Sequence, residues 1–218
     1  MNQPTRRKKM CKVFLTSVVA AGLASTATAD LVDGSFESLD AWGYGFFQGG
    51  IDTPWLTTAP DNLIEGWSSG FLGVPAYDGL RFVELNANYT STLYQDVNGL
   101  GDFNTINWHF AHRGRDGLDT MRLTITDLGF DQAWGGGDDT EIYTGVFSAD
   151  NTAWQVHYGS IVSIGNLTRF AFEAVDAVGG STQGNFIDYC GFGVNAVPAP
   201  SVVALIGIGG LIVRTRRR

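Results

Sequence analysis

The chain has 218 residues, 44% of them apolar and 12% aromatic, with 29 glycines and a formal charge of −8. Basic residues gather at the two ends, so residues 30–197 hold five arginines, no lysine and 22 acidic residues, a net charge of −17. That balance excludes nucleic acid as the partner of the body, because phosphate binding needs a basic footprint, and the apolar and aromatic content excludes disorder.

Residues 1–29 read as a secretory signal peptide. Arg6, Arg7, Lys8, Lys9 and Lys12 form the charged region and Val13 to Ala24 the apolar one. Ala27-Thr28-Ala29 is the small-x-small cleavage pattern, leaving Asp30 as the first mature residue. Cys190 is then the lone cysteine. A lone cysteine forms no internal disulfide, so the body depends on its apolar core.

Strand-like alternation then recurs through 30–195. Arg81–Ala87 sets Val83, Leu85 and Ala87 against Phe82, Glu84 and Asn86. Thr105–His112 sets Ile106, Trp108 and Phe110 against Asn107 and His109, and Thr120–Leu128 sets Met121, Leu123 and Ile125 against threonines and Arg122. Further runs are Ser91–Val97, Glu141–Phe147, Trp154–Ile164, Leu167–Val175 and Gly184–Val194. Period-two patterns broken by Gly, Asn and Asp predict an all-β antiparallel sandwich of jelly-roll type. Ala41–Pro60 and Gly129–Asp139 read as long loops.

Residues 196–218 form a proline spacer, an apolar run from Ser201 to Val213, and a cluster of Arg214, Arg216, Arg217 and Arg218. Thirteen residues of helix reach only about 20 Å, short of the roughly 30 Å hydrocarbon core, so snorkelling arginines are needed for a span. Positive charge outside both apolar runs predicts cytoplasmic ends and a translocated acidic body. The expected helices are thus one in the signal peptide and a short hydrophobic one at the C-terminus.

Gly66-Trp67-Ser68-Ser69-Gly70 matches a serine-nucleophile pattern, but Phe71-Leu72-Gly73-Val74-Pro75 cannot supply the helix that pattern requires, so a turn is expected. His109 and His112 fall on opposite faces of a strand and cannot chelate one ion. Asp138-Asp139 in a glycine loop reads as a solvated turn or a calcium site. A glycosidase-like carboxylate pair remains open, since sequence fixes no separation. The best binding constellation is Glu84, Asn86 and Asn88 on one strand face, Arg113 and Arg115 past a neighbouring strand, and Trp67 and Tyr77 in preceding loops. An aromatic face with amide, carboxylate and guanidinium groups suits sugar C–H surfaces and hydroxyls. The alternative is that the arginines only neutralise acids. Glu84, Asn86 and Arg113 are expected to form one polar surface patch.

Two resemblances extend this reading. Pro198-Ala199-Pro200, the glycine-containing apolar run and the terminal arginines resemble the sorting segment of the PEP-CTERM class of exported bacterial proteins. Ala199 stands where that class usually has glutamate. The resemblance implies membrane anchoring through the C-terminus, processing by an exosortase-type enzyme at a segment marked by Pro198, Pro200, Arg216, Arg217 and Arg218, and a final place at the cell surface or in the extracellular matrix. Asp33-Gly34-Ser35-Phe36-Glu37, Glu65-Gly66-Trp67, Phe82–Asn86 with Leu93–Val97, and Asn185-Phe186-Ile187-Asp188 resemble, in order, motifs of galactose-binding-like jelly rolls, including the DUF642-like group. That resemblance implies a glycan or exopolysaccharide partner and a structural calcium near Asp33, Glu37 and Asp188. The expected function is a non-catalytic, carbohydrate-binding surface or matrix protein; a secreted hydrolase and a purely structural protein are the alternatives.

Overall fold

Alternation with period two buries one face of each strand, and two such faces close on one another. The computed structural model describes residues 30–196. The signal peptide with Ala27 and Ala29, and the segment with Pro198, Pro200 and the terminal arginines, lie outside the described residues. The strands are β1 (Tyr44–Gln48), β2 (Leu56–Thr57), β3 (Leu63–Ser68), β4 (Arg81–Glu84), β5 (Thr92–Asn98), β6 (Thr105–Arg113), β7 (Asp119–Asp127), β8 (Thr140–Ala149), β9 (Gln155–Val162), β10 (Leu167–Asp176) and β11 (Phe186–Gly193). One sheet runs β1-β3-β4-β11-β6-β9 and the other β2-β5-β10-β7-β8, with antiparallel neighbours throughout. The all-β sandwich expected from the sequence is the observed architecture. Among the described residues no helix is long and apolar enough to cross a membrane.

Between the sheets lie Val83, Leu85, Ile106, Trp108, Phe110, Met121, Leu123, Ile125, Phe170, Phe172 and Phe192. Phe110 of one sheet meets Phe172 of the other at 5.1 Å between ring centroids, and Phe170 stacks on Phe192 at 4.8 Å. Each such ring contributes about 1.5–3 kcal/mol on burial. Cys190 is a buried free thiol in this core.

A second, smaller core sits on the outer face of the six-stranded sheet. Trp67, Phe82 and Phe186 are buried there beneath Phe71, Val74, Ala76 and Trp154. The segment from Ser69 to Leu80 folds back over the sheet to make this cover. It is pinned by Ser69 N–H to Leu80 O at 2.9 Å, Ala76 N–H to Ser69 Oγ at 3.0 Å, and Trp154 Nε1–H to Pro75 O at 2.7 Å.

Two expectations are corrected. The stretch Ala41–Pro60 is not one loop, since it contains β1 and β2. Of the expected glycine–serine turn only Ser69 and Gly70 turn, since Gly66–Ser68 end β3, and the Ser68 hydroxyl accepts from Gly43 N–H at 2.8 Å and donates to Gly43 O at 3.1 Å. The eight strands read from alternation all form, although β4 stops at Glu84. Gly129–Asp139 is a loop, as expected.

The chain enters and leaves the sandwich at one end. Asp30 bridges Gly193, Leu31 N–H donates to Phe192 O at 3.0 Å, and Asn195 Nδ2 donates to Asp30 Oδ2 at 3.2 Å. The connections 99–104, 128–139 and 163–166 lie at this same end. They are joined by Phe103 N–H to Ser163 O at 2.7 Å, Gly99 N–H to Asn166 O at 2.9 Å and Leu128 N–H to Leu167 O at 3.0 Å.

Candidate functional site

The register of the six-stranded sheet aligns one row of side chains across its outer face: Phe46 opposite Glu65, Glu65 opposite Glu84, Glu84 opposite Phe186, and Phe186 opposite Arg113. Tyr44 lies opposite Trp67 in the adjacent row. The covering segment adds Phe71, and the turns after β4 and β10 add Asn88, Thr182 and Gln183. Together with Arg115 these groups line an open cleft of about 290 Å³. Its aromatic wall is Tyr44 stacked on Phe71 at 5.8 Å, with Trp67 edge-on to Phe71 at 5.1 Å.

Arg115 is the polar centre. Its guanidinium lies 4.8 Å above the Trp67 ring and donates from Nη1 to both oxygens of Glu84, at 3.0 and 2.8 Å. The loop carrying it is shaped by Gly114, where a Cβ would fall 2.0 Å from Gly117 O. Asp119, fully buried, fixes the loop from below. It accepts from Arg115 N–H at 2.8 Å, Asn185 N–H at 3.0 Å and Val178 N–H at 2.9 Å.

Glu65 and Glu84 are buried neighbours that also hydrogen-bond to each other. Burial first, and the Glu65 charge second, push Glu84 up to about 8. Burial raises Glu65 too, against the pull of the Trp67 N–H, which donates to Glu65 Oε1 at 3.0 Å. The pair therefore holds a proton at neutral pH. The proton is shared by the pair, and Arg115 and Gly184 N–H grip the Glu84 member.

Of the seven residues singled out for binding, Trp67, Asn88 and Arg115 line the cleft and Glu84 lies directly beneath it. Trp67 lies on a strand and is buried, contrary to its expected loop position. Asn86 is buried, donating to Gly180 O at 3.1 Å and accepting from Asn185 Nδ2 at 3.2 Å. Arg113 donates to Asn151 O. The expected surface patch of Glu84, Asn86 and Arg113 does not form, because the covering segment and the 177–185 connection bury two of its members. Tyr77 stands elsewhere on the face, against Tyr189 at 5.3 Å. Tyr44, Phe46, Phe71, Glu65 and Gln183 were not anticipated.

The expected calcium site is not formed. Glu37 Oε1 accepts from Leu80 and Arg81 N–H at 2.7 and 2.8 Å, Asp188 Oδ2 from Tyr77 and Asp78 N–H at 2.7 and 2.9 Å, and Asp33 from Ser38 N–H at 3.2 Å. Glu37 and Asp188 both fasten the 77–81 stretch, and Asp33 fastens its own turn. Among the described residues no three metal-ligating side chains converge. Asp138 Oδ2 likewise accepts from Phe130 N–H at 2.6 Å, which lowers its pKa and fits the turn reading. His109 and His112 face opposite ways, and buried His112 pairs through Nε2 with Asn185 Oδ1 at 3.0 Å.

These groups set a pH dependence. Burial pushes Asp188 up to about 7 as well, so the folded chain retains protons that the unfolded chain, with ordinary values of 3.8 and 4.5, releases. Stability conferred this way falls as pH rises through that window. Burial pushes His112 down to about 4, so between there and 6.5 stability rises with pH. The opposing trends offset each other in the acid range, and above about pH 6.5 only the carboxyls act. The melting temperature is expected to decline from about pH 6.5 to 8. A rise across that interval in a thermal melt series would contradict the assignment.

No family model matches the chain, and no curated protein matches it. Among solved structures the chain is similar to the C-terminal family 22 carbohydrate binding module of Clostridium thermocellum Xyn10B, at 18% identity over 73% of this chain and 99% of that one, with a TM-score of 0.47. It is also similar to the CBM22-1 xylan-binding domain from Paenibacillus barcinonensis Xyn10C, at 12% identity over 71% and 94% with a TM-score of 0.46. A third is TmCBM61 in complex with beta-1,4-galactotriose, at 13% identity over 64% and 88% with a TM-score of 0.43.

Proposed function

We propose that the sandwich is a non-catalytic carbohydrate-binding domain and that the outer-face cleft receives a short saccharide segment. The observation that carries this reading is the cleft's composition: an aromatic wall of Tyr44, Phe71 and Trp67 meets Arg115, Asn88 and Gln183 in one open concavity. Rings pack against sugar C–H faces, and guanidinium and amide groups bond hydroxyls with direction. The volume falls near the lower end of ligand sites, about 300–1,000 Å³, which suits a few sugar units. A glycosidase needs two carboxyls about 5–9.5 Å apart flanking a sugar. Glu65 and Glu84 are instead bonded to each other, and both Glu84 oxygens are engaged. The sequence further supports an exported protein held at the membrane by the apolar run 201–213 until exosortase-type processing releases it to the surface or matrix.

A glycan array probed with the full chain tests the binding reading. Tyr44→Ala and Phe71→Ala are expected to weaken any scoring glycan about tenfold each, about 1.4 kcal/mol, while the fold persists. Equal affinity in both variants, or an array without a scoring glycan, defeats it.

A further inference from the structure

The end of the sandwich at which the chain enters and leaves also carries a group of exposed apolar side chains. Phe130 is 97% exposed, Phe103 82%, Trp134 58%, Val162 52% and Ile164 46%. Packing does not explain their position. Phe130 stands at a loop braced by Asp138 Oδ2 and Asp139 Oδ2, which accept from Phe130 and Gly135 N–H at 2.6 and 2.7 Å. Trp134 is clamped over Arg169 at 4.7 Å, and Arg169 in turn covers Tyr94 at 3.9 Å. Phe103 holds a φ of 60°, a left-handed backbone unfavourable to an aromatic residue. Held, strained and exposed apolar groups gathered at one end mark an interaction surface.

The length of chain outside the structure identifies its partner. Only Val197-Pro198-Ala199-Pro200 separates the last described residue from the apolar run beginning at Ser201, a reach of at most about 14 Å. If that run enters a bilayer, as proposed above, this end of the sandwich faces the headgroups. A tether so short gives an effective concentration in the millimolar range, so even a weak surface affinity is expressed. Exposed Asp102, Asp131 and Asp138 disfavour an anionic surface. We propose that the loops bearing Phe103, Phe130 and Ile164 dock into the interfacial zone of a zwitterionic bilayer and fix the orientation of the anchored domain, with its cleft on a side face.

The proposal rests on the anchor reading, and its test separates the two. The full chain, with Cys11→Ser and Cys190 left in the core, is labelled with an environment-sensitive fluorophore at Ala133→Cys and, as a control at the opposite end, at Asn151→Cys. It is reconstituted into phosphatidylcholine vesicles and floated on a density gradient. Docking predicts co-flotation and about a twofold rise in emission at position 133 with none at 151. Phe103→Asn with Phe130→Ser, changes at exposed sites that leave the melting temperature intact, should abolish the rise without preventing flotation. Flotation with no rise at 133 overturns docking and leaves the anchor standing. Failure to float overturns both. A rise that grows with the protein-to-lipid ratio assigns the patch to a second copy and overturns the lipid reading.

Discussion

Arg115→Ala is expected to destabilise the fold by about 3–5 kcal/mol, the cost of breaking a buried ion pair by removing one partner. The Glu84 side chain is fully buried, and Arg115 is its cationic partner. Without Arg115, Glu84 keeps only the Gly184 N–H and faces Glu65 across the strand pair. Proton uptake relieves part of this, which places the loss at the lower end of the range at pH 6 and at the upper end at pH 8. For a domain of this size each kcal/mol moves the melting temperature by about 2–4 °C. Glu84→Gln added to Arg115→Ala should recover part of the loss, because the buried charge goes with it. Thermal melts of the wild type, both single variants and the double variant form the cycle. A double variant no more stable than Arg115→Ala would show that Arg115 acts by packing on Trp67 and not by neutralising Glu84.

Asp119→Ala is expected to cost a similar amount by a different route. Asp119 accepts backbone N–H groups from Arg115 on its own loop and from Val178 and Asn185 at the two ends of the 177–185 connection. Each donor left buried without a partner costs about 1–3 kcal/mol, and partial access to water limits the total to about 3–5 kcal/mol. Asp119→Asn should not rescue, since every partner is a donor and the amide NH₂ would meet one of them. Urea unfolding measures the loss directly. Saccharide affinity should fall with it, because the Arg115 loop loses its anchor. A loss below about 1 kcal/mol in Asp119→Ala would mean that water satisfies these donors and that the carboxylate does not organise the site.

What the sequence revealed follows from where information about burial resides. In β6, β7 and β10 one face meets the opposing sheet, so apolar residues fall on alternate positions and the strands are readable. β3 hides itself: Glu65 and Trp67 share its outer face, yet both are buried because the Ser69–Leu80 segment folds back over them. No local window contains that return. β1 is an edge strand of YGFFQ with only partial burial, and β2 has two residues, too few to alternate. The site divides the same way. Trp67, Asn88 and Arg115 were identifiable as sugar-binding residue types. Tyr44, Phe46 and Glu65 became neighbours of the site only through register, with Tyr44 opposite Trp67 and Phe46 opposite Glu65. Glu84 and Asn86 look like surface polar residues until the tertiary cover is known.

The position of β11 has a consequence for the order of assembly. It is the last strand to be synthesised, yet it lies between β4 and β6 in the middle of the larger sheet. Until Phe186–Gly193 is available, that sheet is two unconnected fragments, β1-β3-β4 and β6-β9, each with an open edge. Chains lacking this strand cannot close the larger sheet, whereas the five-stranded sheet has all its strands without it.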